Sequence, residues 1–165
     1  MKKKKKAERK LQSNAPKKGV VTQPSVRGKI NYTPLLFILL LTIVAYLPAF
    51  NAGFVNWDDP DYANNQTLKS MMSDFSLLFT KPIQGNYHPL TMLSLLFNYA
   101  ISGMDAWSYH LFNLILHLAN CFLVYRLAML LSNRNMIIAF TTSILFAVHP
   151  MHVESVAWVA ERKDV

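Results

Sequence analysis

A long apolar run near the amino terminus constrains the fold of this chain more than any other feature. The sequence NYTPLLFILLLTIVAYLPAF covers 31–50, and no side chain from Pro34 to Phe50 is charged. A helix needs roughly 20 such residues to cross the hydrocarbon core of a bilayer. The run therefore predicts a transmembrane helix over 31–50, and a membrane protein rather than a soluble domain.

The residues before this span form a basic tail. Residues 1–30 contain 11 Lys and Arg against one acid, whereas residues 31–165 contain six Lys and Arg against eight acids. With few large apolar side chains, 1–30 is predicted to be disordered. The basic excess favours a cytoplasmic amino terminus, and its confinement to the tail argues against a nucleic-acid-binding domain. The long basic region without a small-residue cleavage site favours a retained anchor over a signal peptide.

Two later segments predict further crossings. Residues 107–131 are long and apolar enough to span, the sequence SNRN at 132–135 predicts a cytoplasmic turn, and 136–150 predicts a third span. Residues 51–106 are then an external loop, and 151–165 an external segment leading into a missing carboxy-terminal part. The expected fold is all-α, with about three transmembrane helices.

Within the loop, His88–Ile101 is apolar but too short for a comfortable crossing. We expect it to form an amphipathic helix that lies at the membrane surface. The single cysteine of the chain, Cys121, excludes an internal disulfide.

Polar residues follow one face of the second predicted span. His110, Asn113, His117 and Asn120 are separated by three, four and three positions, so they fall within about 80° of helical arc. Such residues are costly in lipid, so the stripe should face a bundle interior or a wet cavity. Hydrogen bonds to neighbouring helices would explain the three deeper residues, whereas a functional role is equally open for His110.

An acidic motif, FVNWDDPDY, occupies 54–62, a few residues beyond the first span. Asp58 and Asp59 are adjacent there, and Asp61 supplies a third carboxylate. A solvated turn explains Asp and Pro in such a stretch. Carboxylates could also bind a divalent cation, or one could act as a general base while the other orients it.

Titratable residues also gather in HPMHVESVAWVAERKD at 149–164. The His-x-x-His-x-Glu spacing is not the HExxH zinc motif, and Pro150 interrupts the helix that would present it. Arg162 and Lys163 are natural partners for a phosphate group, or interfacial cations with stems along apolar surface.

Four ordered blocks together resemble a known family. They are FVNWDDPDY, NYHPLTMLSL at 86–95, SYHLFNLILHLAN at 108–120 and FAVHPMHVESVAWVAERKDV at 146–165. Over about 32–165 the chain resembles the amino-terminal part of polytopic GT-C glycosyltransferases. The nearest likeness is to bacterial TPR-containing membrane proteins and the eukaryotic transmembrane-and-TPR O-mannosyltransferases.

The resemblance implies a many-helix enzyme that uses a polyprenyl-phosphate sugar donor. It implies catalytic roles for Asp58 and Asp59, with Asp58 as the base. It leaves metal dependence open, and if a divalent cation binds, these two residues would be its ligands. The remaining implied residues border the same cavity: His149, His152 and Glu154; Arg162 and Lys163, as candidates for the donor phosphate; and His88, His110 and Asn113, without an assigned chemistry.

The implied function is transfer of mannose or another hexose to a hydroxyl of a protein Ser/Thr or a glycan on the non-cytosolic face. The implied location is a bacterial inner membrane, or the endoplasmic reticulum in a eukaryote. Because no 34-residue repeat is visible, the chain is expected to be a fragment that is inactive alone. The alternatives are a non-catalytic membrane anchor or assembly subunit with a basic cytoplasmic tail, and, less favoured, part of a transporter.

Overall fold

The computed structural model describes residues 30–165. The predicted disordered tail lies outside the described residues, apart from Ile30. Within 30–165 the chain forms helices and turns, and its only extended pairing is an isolated bridge between Ile83 and Asn86. The prediction of an all-α fold is confirmed.

The first predicted span is a helix that tightens at its end. Helix α1 runs over Thr33–Tyr46 with Pro34 in its first turn, and a 3-10 turn continues it over Leu47–Asn51. Pro48 lies at the start of that turn, where its ring removes a donor that an α-helix would use. The 19 residues from Thr33 to Asn51 are long and apolar enough to cross a membrane.

The loop that follows contains four helices. They are α2 (Asp59–Tyr62), α3 (Asn65–Ser73), α4 (Leu77–Thr80) and α5 (Pro89–Ser102). The α5 helix corresponds to the predicted amphipathic segment. Its inner face packs into an apolar core with Tyr62, Leu68 and Tyr109, and it leaves four large apolar side chains exposed: Leu90, Leu93, Phe97 and Ile101.

The second span is a single long helix and the third is broken. Helix α6 covers Ala106–Leu131, 26 residues that are long and apolar enough to cross. Helices α7 (Met136–Ala147) and α8 (Met151–Ala157) are bent by 59° across the turn that contains Pro150. A 3-10 turn over Ala160–Asp164 follows. The described residues thus offer two candidate membrane spans, or three if the bent pair is one span.

Contacts at the two ends of the bundle define which segments share an end. At one end, Tyr125 donates a hydrogen bond of 2.7 Å to the carbonyl of Asn31, and Arg126 donates one of 2.7 Å to the Tyr32 hydroxyl. At the other end, His110 Nε2 lies 3.1 Å from the carbonyl oxygen of Ala52. Because α1 and α6 run antiparallel, the loop after α1 and the start of α6 lie at this second end.

The polar stripe of α6 faces the broken span. His117 Nε2 lies 3.0 Å from the carbonyl oxygen of Ala147, the last residue of α7. The Asn113 amide donates at 3.2 Å to both Val156 O and Trp158 O, at the end of α8. Asn120 donates to Val165 O. The last carbonyls of a helix have no partner within it. His117 therefore satisfies one such carbonyl at the break, and Asn113 satisfies carbonyls at the end of α8.

This arrangement predicts that Asn113→Leu destabilises the fold. The substitution keeps a similar volume but removes the donor to α8 and an acceptor of Arg162, at a cost of about 1–3 kcal/mol for each buried group left unsatisfied. Thermal unfolding of detergent-solubilised protein should show a lower midpoint. The matched control is Leu123→Ala on the exposed face of α6, and an equal shift in both variants would contradict the capping role.

Candidate functional site

The two adjacent carboxylates of the acidic motif point into different surroundings. Asp59 is 1% exposed, whereas Asp58 is only partly buried. Asp58 occupies the N-cap position of α2, but its side chain makes no capping hydrogen bond there. Its carboxylate therefore is not used to hold the helix.

Asp59 instead joins two distant parts of the chain. One carboxylate oxygen, Oδ2, accepts a hydrogen bond of 2.7 Å from the backbone N–H of Val55. The other, Oδ1, accepts one of 2.7 Å from the N–H of Ala160, 101 residues later in the sequence. Burial raises the pKa of Asp59, and the two backbone hydrogen bonds and the nearby His110 oppose that rise.

The segment that Asp59 holds brings a cation to the acidic motif. Lys163 Nζ lies 2.9 Å from Glu161 Oε1 and 5.3 Å from the centroid of the Tyr62 ring. Burial alone would lower the pKa of Lys163, but the Glu161 hydrogen bond and the charges of Glu161, Tyr62 and Asp58 raise it. Lys163 therefore lies beside Tyr62, the last residue of the acidic motif.

These five residues, Asp58, Asp59, Tyr62, Glu161 and Lys163, are referred to below as the acidic-motif site. Sequence reasoning selected three of them and missed Tyr62 and Glu161. Burial raises the pKa of Glu161, and the neighbouring Asp164 adds to the rise while Lys163 opposes it. The run of four charged residues, Glu161-Arg162-Lys163-Asp164, was the available signal, because oppositely charged side chains in a short turn can pair with one another.

Arg162 has a different position from the one expected of a phosphate ligand. It is 5% exposed, and its guanidinium donates hydrogen bonds to four acceptors on α5 and α6. These acceptors are Asn113 Oδ1 at 2.6 Å, Asn98 Oδ1 at 2.6 Å, Ser94 Oγ at 3.2 Å and Tyr109 O at 2.9 Å. The Phe112 ring lies 4.8 Å from its central carbon. Because its donors are committed to the interior, Arg162 anchors the last 3-10 turn and does not face the site.

The charge of Arg162 is retained in this interior position. Burial lowers the pKa of Arg162 to about 10, with the nearby Tyr109 opposing the change. The guanidinium is thus charged at neutral pH, in surroundings made of neutral acceptors and aromatic rings. A planar group with five donors suits such a position better than the compact ammonium of lysine.

The HPMHVE block contains the turn between α7 and α8 and the first residues of α8. His149 is exposed, and its Nδ1 accepts a hydrogen bond of 3.3 Å from the N–H of Met151. The His152 ring lies 4.4 Å from the Phe146 ring and 5.5 Å from that of His117, while Glu154 is exposed on α8. The segment that hydrogen-bonds to the acidic motif is the one at Ala160, not this block.

The nearby cavity is apolar. A cleft of about 250 Å³ separates the end of α1 from the bent pair, and it is lined by Ala45, Tyr46, Pro48, Ala49, Val148, Val153 and Ala157. Its walls therefore come from residues next to the HPMHVE histidines rather than from the histidines themselves.

The three remaining candidates are spread over the loop and α6. His110 is 1% exposed and its charge acts on Asp59, so it lies beside the acidic-motif site. Asn113 belongs to the Arg162 network. His88 precedes α5, and its side chain makes no capping hydrogen bond to that helix.

A divalent cation finds few ligands among these residues. Within 30–165, no group of three or more His, Cys, Asp or Glu side chains is arranged to hold a metal ion. Each oxygen of Asp59 already accepts a backbone N–H. The described residues therefore do not form a metal site on their own.

Known proteins of similar sequence show the family of this chain. The chain is 37% identical over 157 residues to Protein O-mannosyl-transferase Tmtc1 of Drosophila melanogaster, an alignment covering 87% of this chain and 18% of that protein. It is 31% identical over 163 residues to Tmtc3 of the same fly, covering 82% and 18%. It is also 34% identical over 134 residues to TMTC2 of Mus musculus, covering 76% and 16%.

The chain is a homologue of the TMTC O-mannosyltransferases. It spans less than one fifth of the length of each of these three relatives. No protein-family model matches it, and no solved structure does. The homology confirms the resemblance that the four sequence blocks indicated.

The interior position of Arg162 predicts that Arg162→Lys is strongly destabilising. An ammonium cannot reach acceptors on both α5 and α6, so about 1–3 kcal/mol is lost for each acceptor left unsatisfied. Limited proteolysis in native membranes should show faster cleavage. The neighbouring Lys163→Gln removes a partly exposed ion pair of about 0–1 kcal/mol, and equal sensitivity of the two variants would contradict the anchoring role.

The raised pKa of Asp59 predicts a pH-dependent contribution to stability. A carboxyl whose folded pKa lies above its unfolded value of about 4 favours folding fully below that value, and this contribution is lost as pH rises through the folded pKa. Asp59→Asn should remove that part of the pH dependence between acidic and neutral pH. Unfolding in detergent at several pH values tests it, with the exposed Asp61→Asn as control; identical pH profiles for wild type and Asp59→Asn would contradict it.

Proposed function

We propose that the full-length protein is a membrane glycosyltransferase that moves a hexose, with mannose as the first choice, from a polyprenyl-phosphate donor to a hydroxyl acceptor. The acceptor class is protein Ser/Thr or a glycan. The homology to proteins named O-mannosyl-transferases supports this proposal. The observation that carries it is the partly buried Asp58 carboxylate, which makes no capping bond and belongs to the same short motif as Tyr62, whose ring contacts Lys163.

Asp58 has the chemistry required of the general base. In the proposed reaction its carboxylate takes the proton of the acceptor hydroxyl while that oxygen attacks the anomeric carbon of the sugar. The bond from the anomeric carbon to the phosphate oxygen breaks with inversion, and the lipid phosphate leaves with the electron pair. A base must approach within about 3 Å of the hydroxyl, and Asp58 is the carboxylate of the pair with access.

Lys163 supplies positive charge where the leaving group would develop negative charge. A cation aimed at such a position stabilises the transition state. Lys163 is only partly buried, and Glu161 and Tyr62 hold it beside the acidic motif. Of the two cations that sequence reasoning offered for the phosphate, the geometry favours Lys163, since Arg162 is committed to the interior.

The proposed topology follows from the charges. The basic tail favours a cytoplasmic amino terminus, and one crossing by α1 then brings the acidic-motif site to the non-cytosolic face. Its membrane is proposed to be a bacterial inner membrane, or the endoplasmic reticulum membrane in a eukaryotic cell. A site at that surface could meet both a lipid-borne donor and a water-soluble acceptor.

The experiment that tests the function is Asp58→Asn in the full-length protein. Loss of the base should reduce hexose transfer from a polyprenyl-phosphate donor to an acceptor peptide by at least about 10²-fold, the lower range for general base catalysis. Transfer is measured with radiolabelled donor in purified membranes. Asp61→Asn, an exposed carboxylate two residues beyond Asp59, should leave transfer unchanged.

Three results would count against the proposal. Undiminished transfer by Asp58→Asn would remove Asp58 from the base role. Undiminished transfer after replacing both Asp58 and Asp59 would reject the acidic-pair mechanism altogether. Absence of transfer by the wild-type full-length protein with any hexosyl donor would favour the anchor or assembly subunit.

A further inference from the structure

We propose that Asp59 is a positioning residue, which sets the place of Lys163 opposite Asp58 by holding the 3-10 turn at Ala160. This inference rests on the proposed function. The two adjacent carboxylates then have different roles: Asp58 acts as the base, and Asp59 holds the two segments of the site together.

The first argument is the way the Asp59 oxygens are used. Each accepts one backbone N–H at 2.7 Å, one from its own loop and one from the segment 101 residues away. With 1% exposure, Asp59 has almost no surface left for a substrate. A carboxylate whose two oxygens both accept backbone hydrogen bonds, and which a substrate cannot reach, is suited to hold the backbone in place rather than to take a proton.

The second argument is the spacing on either side of the link. Asp58 directly precedes Asp59, and Lys163 comes three residues after Ala160 in the same 3-10 turn. Three residues make one full turn of a 3-10 helix, so Lys163 returns to the side on which Ala160 meets Asp59. The Tyr62 ring, at the end of α2, is 5.3 Å from Lys163 Nζ and completes that contact.

The third argument is that the 3-10 turn is held from two directions. Arg162 ties it to α5 and α6 through side-chain acceptors such as Asn98 and Asn113, whereas Asp59 ties its first backbone N–H to the loop. The Arg162 contacts fix the turn against the bundle, whereas the Asp59 hydrogen bond fixes its first backbone N–H against the acidic motif, where Tyr62 also contacts Lys163. Loss of Asp59 should therefore move Lys163 without releasing the turn from the bundle.

The test is a double-mutant cycle on donor binding in the full-length protein. Asp59→Asn presents an amide N–H₂ to one of the two backbone donors, so one hydrogen bond is lost, and the KM for the polyprenyl-phosphate donor should rise about fivefold to tenfold. Lys163→Gln should raise the same KM by at least as much. If Asp59 acts through Lys163, the double variant should resemble Lys163→Gln alone.

A second measurement reports the position of Lys163 without relying on activity. In Asp59→Asn membranes, Lys163 should react faster with an amine-modifying reagent, read by mass spectrometry against the exposed Lys69 and Lys81. Cys121, which is 0% exposed, should stay unreactive toward a thiol reagent if the bundle is intact. The isosteric control Asp61→Asn should change neither the KM nor the labelling.

The outcomes separate this inference from the proposed function. Three results would each overturn the positioning role. They are multiplicative effects of Asp59→Asn and Lys163→Gln on KM, unchanged labelling of Lys163 in Asp59→Asn, and exposure of Cys121 in Asp59→Asn. Retained transfer in Asp58→Asn would instead overturn the proposed function. The labelling experiment would still show in that case whether Asp59 holds Lys163.

Discussion

The break in the third span is the constraint on which the rest of this structure depends. A break in a helix leaves carbonyls without helical partners, and these groups need donors from elsewhere in the protein. His117 of α6 reaches the carbonyl of Ala147 at the break, and Asn113 reaches a carbonyl at the end of α8. Because these donors lie on one face of α6, the bent pair of α7 and α8 can pack only in the register that brings its carbonyls to them. That register determines where the chain after α8 emerges.

The residues beyond the break turn this docking into a site. Arg162 carries a charge into an interior of neutral amides and carbonyls, and a buried charge is tolerated only when its donors are well satisfied. Its contacts to α5 and α6 hold the final 3-10 turn against the bundle, and Asp59 draws the loop onto the same turn. The catalytic proposal thus depends on two buried polar links, each between segments far apart in sequence.

Several parts of this arrangement could be predicted from the sequence. The apolar length of α1 and α6 could be matched to bilayer thickness, and the three-four-three spacing of the α6 stripe places its polar side chains on the interior face. Asp58 and Asp59 could be selected as a pair because they are adjacent, follow the first span closely and lie in one of the blocks that resemble the family. The four ordered sequence blocks indicated the homology that the comparisons support.

Other parts depend on tertiary contacts that no local pattern encodes. The resemblance selected Asp58 as the base, but the sequence did not separate the surroundings of the two carboxylates. Asp59 is buried and accepts a hydrogen bond from Ala160, whereas Asp58 is only partly buried. Sequence reasoning grouped Arg162 with Lys163 as phosphate partners, although consecutive residues of a tight turn face different directions. It also expected the acidic motif and His149–Glu154 to border one cavity. The 59° bend that precedes Ala160, and the hydrogen bond from Ala160 to Asp59, cannot be predicted from Pro150 alone.

The separation of Asp59 from Ala160 has a consequence for biosynthesis. A ribosome delivers α1 and its loop first, and the partner for Oδ1 of Asp59 is translated 101 residues later. Until the chain has been synthesised as far as Ala160, Oδ1 of Asp59 lacks this partner, and a carboxylate oxygen without a partner prefers contact with water. The acidic motif therefore stays hydrated early in synthesis, and the link between its loop and the last 3-10 turn forms late.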